Sequence, residues 1–253
     1  MLLISFLFLF AISLPVFSFD HSYTTYDKIL NEAVIERGSQ TAVDYEYLKI
    51  NSDALDKSLS EIEAVSKNDF DTWNEDQKLA FLINSYNAFT LKLIVENYPG
   101  IDSIKDLGGF FSSPWDKKFF SLFGSKTNLD HLEHGLLRKN YNEPRIHFAI
   151  NCASISCPAL QKNAYVASKL DEQLEQAAIQ FLRDTKHNRF NTESKTLEIS
   201  SIFKWFSEDF TKAGSLKEYI ARYISDDSKI KTQAKESVIK VVYLEYDWSL
   251  NKK

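Results

Sequence analysis

Positions 145–158, RIHFAINCASISCP, hold both cysteines of the chain, Cys152 and Cys157, and one of its five histidines, His147. A thiol near a histidine is what nucleophilic catalysis requires. The thiolate attacks, an imidazole takes the proton, and a third group orients the imidazole. The residues available are Cys152 as nucleophile, His147 or His134 as base, and Glu133 or Asp247 as the orienting carboxylate. Asn84, Asn87 or Asn151 would donate to an oxyanion. The same cysteines can instead close a short disulfide, provided the backbone turns back on itself. They can also exchange disulfides, although C-x4-C is not the C-x-x-C of known redox motifs.

A metal is the competing use of these side chains. His131 and His134 are three apart, and the H-x-E of HLEH precedes the two cysteines in sequence. Zinc deaminases need P-C-x-x-C, which is absent. The ligand spacing is therefore not met and neither metal nor cofactor is expected. His21 and His187 read as solvated surface residues.

The elements that must position these groups follow from periodicity. In 145–151, Ile146, Phe148 and Ile150 alternate with Arg145, His147 and Asn151, which predicts a half-buried strand. ASIS then makes a polar turn closed by Pro158. On such a strand His147 and Cys152 would face opposite sides, and only a turn at Asn151 brings them together. His134 is thus an equal choice of base.

The strongest helix is 75–97, with a capping box from Asn74 to Gln77 and a stop at Tyr98-Pro99-Gly100. Its polar stripe is only Lys78, Ser85, Lys92 and Glu96, so it is largely buried. Asn84 and Asn87 lie roughly opposite that stripe and need partners, since an unpaired buried polar group costs about 1–3 kcal/mol. They either bond a loop backbone or hold the cysteine turn. Residues 129–138 predict a short helix whose apolar face is Leu129, Leu132 and Leu136, flanked by Leu137. Glu133 falls within that face, paired with Arg138 or Arg145 or else serving a histidine.

Elsewhere, 22–37 reads as a helix stopped by Gly38, and 45–65 as one or two more. The aromatic stretch 101–127 carries a candidate hairpin turning at Gly124 and either clamps the core or walls a substrate groove. Ser168 caps a helix of about 15 residues. TLEIS, 196–200, is a strand, and SIFKWFSEDF and SLKEYIARYI are helices. VIKVVYLEYDW, 238–248, returns to the sheet. The fold class is α+β: many helices around a small, mainly antiparallel sheet, with 75–97 as the buried central helix.

Residues 2–17 are apolar apart from two serines, a secretory leader cleaved after Ser18, although no Lys or Arg follows Met1. That leaves 253 − 18 = 235 residues, divided into an N-terminal helical segment, 19–70, and a domain, 71–253. An exported chain, periplasmic or secreted, meets an oxidising environment in which a cysteine pair tends to bridge. A net charge of −5 argues against general nucleic-acid binding, and no second apolar span follows the leader.

FLINSYNA (81–88), LDHLEHGLLR (129–138), PRIHFAINCASISCP (144–158), IFKWFSEDF (202–210) and YDWSLN (246–251) together resemble the family filed as domain of unknown function 547. The pieces keep the family's order over roughly residues 70–251. The resemblance implies emphasis on Asn84, Tyr86, Asn87, Glu133, His134, His147, Asn151, Cys152, Ser156, Cys157, Pro158 and Asp247. It also implies export, which is common among bacterial members, but no activity. Residues 22–65 lie outside it.

The residues therefore point to an exported cysteine-dependent hydrolase or acyl transferase with Cys152 as nucleophile, acting on a peptide, acyl or small-molecule ligand. The alternatives are a non-catalytic binding or scaffold domain stapled by Cys152–Cys157, and a thiol–disulfide redox protein.

Overall fold

The computed structural model describes residues 18–109 and 112–253. The expected leader therefore lies outside the described residues apart from Ser18, as do Phe110 and Phe111 of the aromatic stretch. No helix among the described residues is long and apolar enough to cross a membrane.

The chain is α+β. Helix α1 (Thr24–Ala33) leads into a hairpin of β1 (Val34–Arg37) and β2 (Gln40–Val43). Gly38, with φ of 68°, belongs to that hairpin turn, so the expected helix over 22–37 ends four residues early. Three short helices follow: α2 (Tyr45–Ile50), α3 (Ser52–Glu63) and α4 (Lys67–Thr72).

Next comes α5 (Glu75–Asn97), the expected central helix, with the Asn74–Gln77 capping box in place. Its sides are buried from Leu79 to Leu91 without a break. The predicted polar stripe is narrower than the pattern implied. Ser85 is fully buried and donates back to the Phe81 carbonyl at 2.7 Å, while Lys92 escapes to Asp56 and Glu96. Helices α1 to α4 share one hydrophobic core with α5.

The anticipated hairpin at Gly124 forms from β3 (Phe120–Leu122) and β4 (Ser125–Thr127). Phe123 and Gly124 both have positive φ, 54° and 75°, as the turn joining two twisted strands requires. Beyond it, 131–137 is a π-helix continued by α6 (Arg138–Asn140). The wider turn puts Leu137 rather than Leu136 into the core beside Leu132 and Leu129. The expected α-helical face is shifted by one residue.

The predicted strand over 145–151 is instead a helical turn, α7 (Ile146–Ala149). Its supposedly polar side is buried too: His147 and Asn151 are 3% and 4% exposed. Short apolar runs cannot separate the two periods when both faces are buried.

Helix α8 (Leu170–Leu182) starts after a turn of 3-10 helix, and Ser168 does not cap it. It packs in a second core around Phe148, Phe181, Phe203 and Phe210. There β5 (Arg189–Asn191) and β6 (Thr196–Ile199) pair antiparallel, while β7 (Lys240–Tyr243) joins β6 in parallel. The strand expected over 238–248 is only this short; 244–248 leaves the sheet.

SIFKWFSEDF splits into α9 (Ile202–Trp205) and α10 (Ser207–Thr211). SLKEYIARYI gives α11 (Leu216–Tyr223), and α12 (Ser228–Ala234) is a helix the pattern did not indicate. The strands thus form three small sheets, mostly antiparallel, rather than a single one.

The two other histidines are not solvated either. His21 packs edge-on against Trp73 with centroids 4.4 Å apart. His187 Nδ1 lies 2.7 Å from Asp184 Oδ2.

Candidate active site

The cysteine turn is held in place by backbone hydrogen bonding from three directions. From α5, Asn87 Nδ2 donates to the Ala149 carbonyl at 2.9 Å, and its Oδ1 accepts from Asn151 N–H at 2.8 Å. Within the turn, Asn151 Oδ1 accepts from Ala153 N–H at 2.8 Å and its Nδ2 donates to the Pro158 carbonyl at 2.8 Å. Ala153 sits at φ 62°, a conformation L-residues avoid and Asn151 holds. From the C-terminus, Ser156 N–H donates to the Asp247 carbonyl, Ile155 N–H to the Ser249 carbonyl, and Asn251 N–H to the Ala153 carbonyl. YDWSLN is therefore a strap across the turn.

This places the three asparagines as positioning residues. Asn84 makes the same two-way bond to Tyr165, donating at 2.7 Å and accepting at 3.0 Å, away from the cysteines. Each amide NH2 spends a hydrogen on a backbone carbonyl and none of the three lines the cavity beside the bridge, which corrects the oxyanion expectation. Asp247 is exposed. Its carboxylate accepts from Ser249 N–H at 2.9 Å, so it shapes the strap and does not orient a histidine.

Cys152 and Cys157 are bridged, with Cα atoms 6.2 Å apart, and no described cysteine is free. Bridged, Cys152 is not a nucleophile; that role requires the bond to be opened first. The sulfurs differ in access: Cys157 is buried, whereas Cys152 is half-buried. Cys157 Sγ accepts from Cys152 N–H at 2.9 Å. The hydroxyls of Ser154 and Tyr246 lie 3.3 Å from both sulfurs. Burial raises the Tyr246 phenol far above its ordinary value, so it remains a donor.

A cavity of about 260 Å³ opens beside the bridge. It brings together Cys152, Cys157, Glu133, His134 and His147, together with Tyr86 and Asp130. Its walls are aromatic: Trp115, Trp205, Phe206, Tyr246 and Trp248.

His147 projects from α7 and stacks on Phe206, centroids 4.1 Å apart. Its Nε2 is 2.8 Å from Asp209 Oδ2. An ionised carboxylate only accepts, so Nε2 carries the hydrogen and Nδ1 is a bare lone pair. That Nδ1 is buried with no partner among the described residues. Burial depresses the His147 pKa, against the opposing pull of Asp209 and Glu133, and keeps the ring neutral.

Asp209 is the orienting carboxylate that the sequence reading missed. It also accepts from Arg138 Nε at 2.6 Å, and these partners outweigh its burial and hold its carboxyl far below the usual range. The quoted stretch FSEDF contains it, but nothing in its spacing links it to a histidine 62 residues away.

Glu133 lies on the π-helix, 8% exposed and without a salt bridge among the described residues. Both expected partners are engaged elsewhere: Arg138 with Asp209, and Arg145 with Glu143, Asp171 and Glu175. The Tyr86 phenol faces Glu133, and burial together with that charge raises it well above its ordinary value. It stays protonated while its oxygen accepts from Trp115 Nε1 at 3.2 Å. His134 Nδ1 is 2.7 Å from Arg138 Nη1. Arginine can only donate, so that nitrogen is the acceptor, unavailable as a base.

His147 and Cys152 share the cavity but do not hydrogen-bond each other. Among the described residues, no group of three or more His, Cys, Asp or Glu is arranged to hold a metal ion.

No curated protein and no solved structure matches the chain. The matched family model spans Asn84, Asn87, Glu133, His134, His147 and both cysteines but stops short of Asp209 and the strap. Over residues 70–182, which hold most of the cavity's polar groups, the chain matches the family described as "Protein of unknown function, DUF547", a shorter stretch than the resemblance drawn from its motifs.

Proposed function

We propose that the cavity is the active site of an exported cysteine-dependent hydrolase or acyl transferase, with Cys152 as nucleophile once the bridge is opened. The carrying observation is that His147, whose Nδ1 is buried without a partner among the described residues, lines the same cavity as the more accessible sulfur. Asp209 fixes the tautomer that leaves this lone pair free. A dithiol reductant would attack Cys152 Sγ, the sulfur in reach, and release Cys157 as a thiolate. Cys152 N–H and the nearby hydroxyls would stabilise that thiolate. Exchange with the second thiol of the reductant then frees Cys152 and carries the disulfide away. In the reduced chain, His147 would take the Cys152 proton through a bound ligand or water and return it to the leaving group. The acyl group then passes to water or to an acceptor.

The second reading is a binding domain with a structural bridge. It is favoured by the bridge itself and by the donors that surround Cys157. A pH series of iodoacetamide alkylation on the reduced protein separates the two. The catalytic reading expects Cys152 to react well before Cys157, with a profile that shifts to higher pH in His147→Gln. Equal reactivity of both thiols, with a profile that His147→Gln leaves unchanged, would establish the binding reading.

A further inference from the structure

The cavity has a charge character that its acid/base groups do not use. Its lining includes two carboxylates, Asp130 and Glu133, and no lysine or arginine. Glu133 is the buried one, and no cation answers it among the described residues. A buried carboxylate left this way is costly unless something pairs with it. The Tyr86 phenol faces it, and a single phenol can satisfy at most one acceptor site out of several. His147 Nδ1 is a second buried acceptor without a donor. Glu133 lines a space walled by indoles and a phenyl ring, whose faces attract cations.

Two of those walls already engage cations. Lys105 Nζ lies 3.9 Å from the Trp248 ring centroid, and the Arg138 guanidinium 4.9 Å from that of Phe206. Neither cation lines the cavity, and Arg138 is neutralised by Asp209. The space therefore carries carboxylate charge and no lysine or arginine to answer it.

We propose that the ligand presents a primary ammonium group, seated against Glu133 among the indoles of Trp115, Trp205 and Trp248. This rests on the cavity being a ligand site and narrows its substrate to an amino-bearing acyl compound. A primary ammonium supplies what is missing: a charged N–H donor for the carboxylate and a cation for the aromatic faces. A quaternary ammonium would satisfy the rings and leave the carboxylate without a hydrogen bond.

The test uses the purified protein and its tryptophan fluorescence, since Trp115, Trp205 and Trp248 line the cavity. The titrants are n-butylammonium, tetramethylammonium, n-butanol and butyrate at neutral pH. n-Butylammonium is expected to bind about tenfold or more tighter than n-butanol, the scale of one charge-assisted hydrogen bond. Butyrate should bind weakest. Glu133→Gln, nearly isosteric, should erase the preference while circular dichroism stays unchanged. Equal affinity for butanol and butylammonium, tetramethylammonium equal to butylammonium, or no response to any amine would each overturn the inference. None of those results needs a variant that folds. Loss of the amine preference with His147-dependent alkylation intact overturns this inference alone; the reverse pattern overturns only the catalytic reading.

Discussion

His147 Nε2 and Asp209 Oδ2 lie 2.8 Å apart, although 62 residues separate them in sequence. The pair joins a helical turn beside the cysteines to α10, a short helix in the second core. Arg138 reaches the same carboxylate oxygen from the end of the π-helix. One carboxylate thus ties together the segments that carry Glu133, His147 and the bridge.

Asp209→Asn should weaken this junction. It removes a charge that accepts from His147 and Arg138 and pairs with Lys212, with Asp209 side-chain exposure of only 11%. A loss of about 2 kcal/mol is expected, on the scale of hydrogen bonds to charged groups. Urea unfolding would read it as a lower midpoint with an unchanged slope. A midpoint equal to wild type would mean that the pair is decorative.

His147 also sets a pH signature. Burial lowers its pKa from the ordinary 6.5, so between the lowered value and 6.5 the unfolded chain holds more protons than the folded one. Stability should therefore rise with pH across that window and be lost as pH falls through it. His147→Gln should flatten that slope. Unfolding free energies measured from pH 5 to pH 7.5 check it, and an undiminished slope in the variant would refute the assignment.

Asn87→Ala and Asn84→Ala should be separable. Each deletes two buried backbone-directed hydrogen bonds, and each should cost roughly 2–4 kcal/mol because the freed backbone groups stay buried. Only Asn87 holds the cysteine turn. Alkylation of reduced Cys152 should therefore change its pH profile in Asn87→Ala and keep it in Asn84→Ala.

The bridge closes a short loop, with a sequence separation of 5. Loop-closure entropy then gives a stabilisation of about 2 kcal/mol. Comparing thermal unfolding of wild type with Cys152→Ser/Cys157→Ser measures it. A difference near zero would show that the strap and Asn87 hold the turn unaided.

Much of this was legible in the sequence because it depends on neighbours along the chain. Although the Cys152–Cys157 bridge was only one of the uses its spacing allowed, the Asn74–Gln77 box, the span of α5 and the Gly124 hairpin all follow from spacing over a few residues. So does the need of Asn84 and Asn87 for partners, since polar groups on a buried helix must be satisfied. The charge of Glu133 within an apolar face was equally plain. What the sequence did not carry was who answers whom. The Arg145–Asn151 alternation reads as a strand, yet tertiary packing buries both of its sides and a helical turn results. Glu133 was expected either to meet an arginine or to serve a histidine or acid/base step, but Arg138 turns to Asp209, and only the folded chain brings α10 to that arginine. Asp247 was expected at a histidine and instead shapes the strap. The cavity itself is a tertiary product. Its walls come from α5, the aromatic loop, the π-helix, the cysteine turn, α9 and the strap, and no local pattern encodes their convergence. Local hydrogen bonding and apolar periodicity determined most of the elements; long-range burial turned 145–151 into a helical turn, decided which carboxylate orients His147 and left Glu133 without a cation.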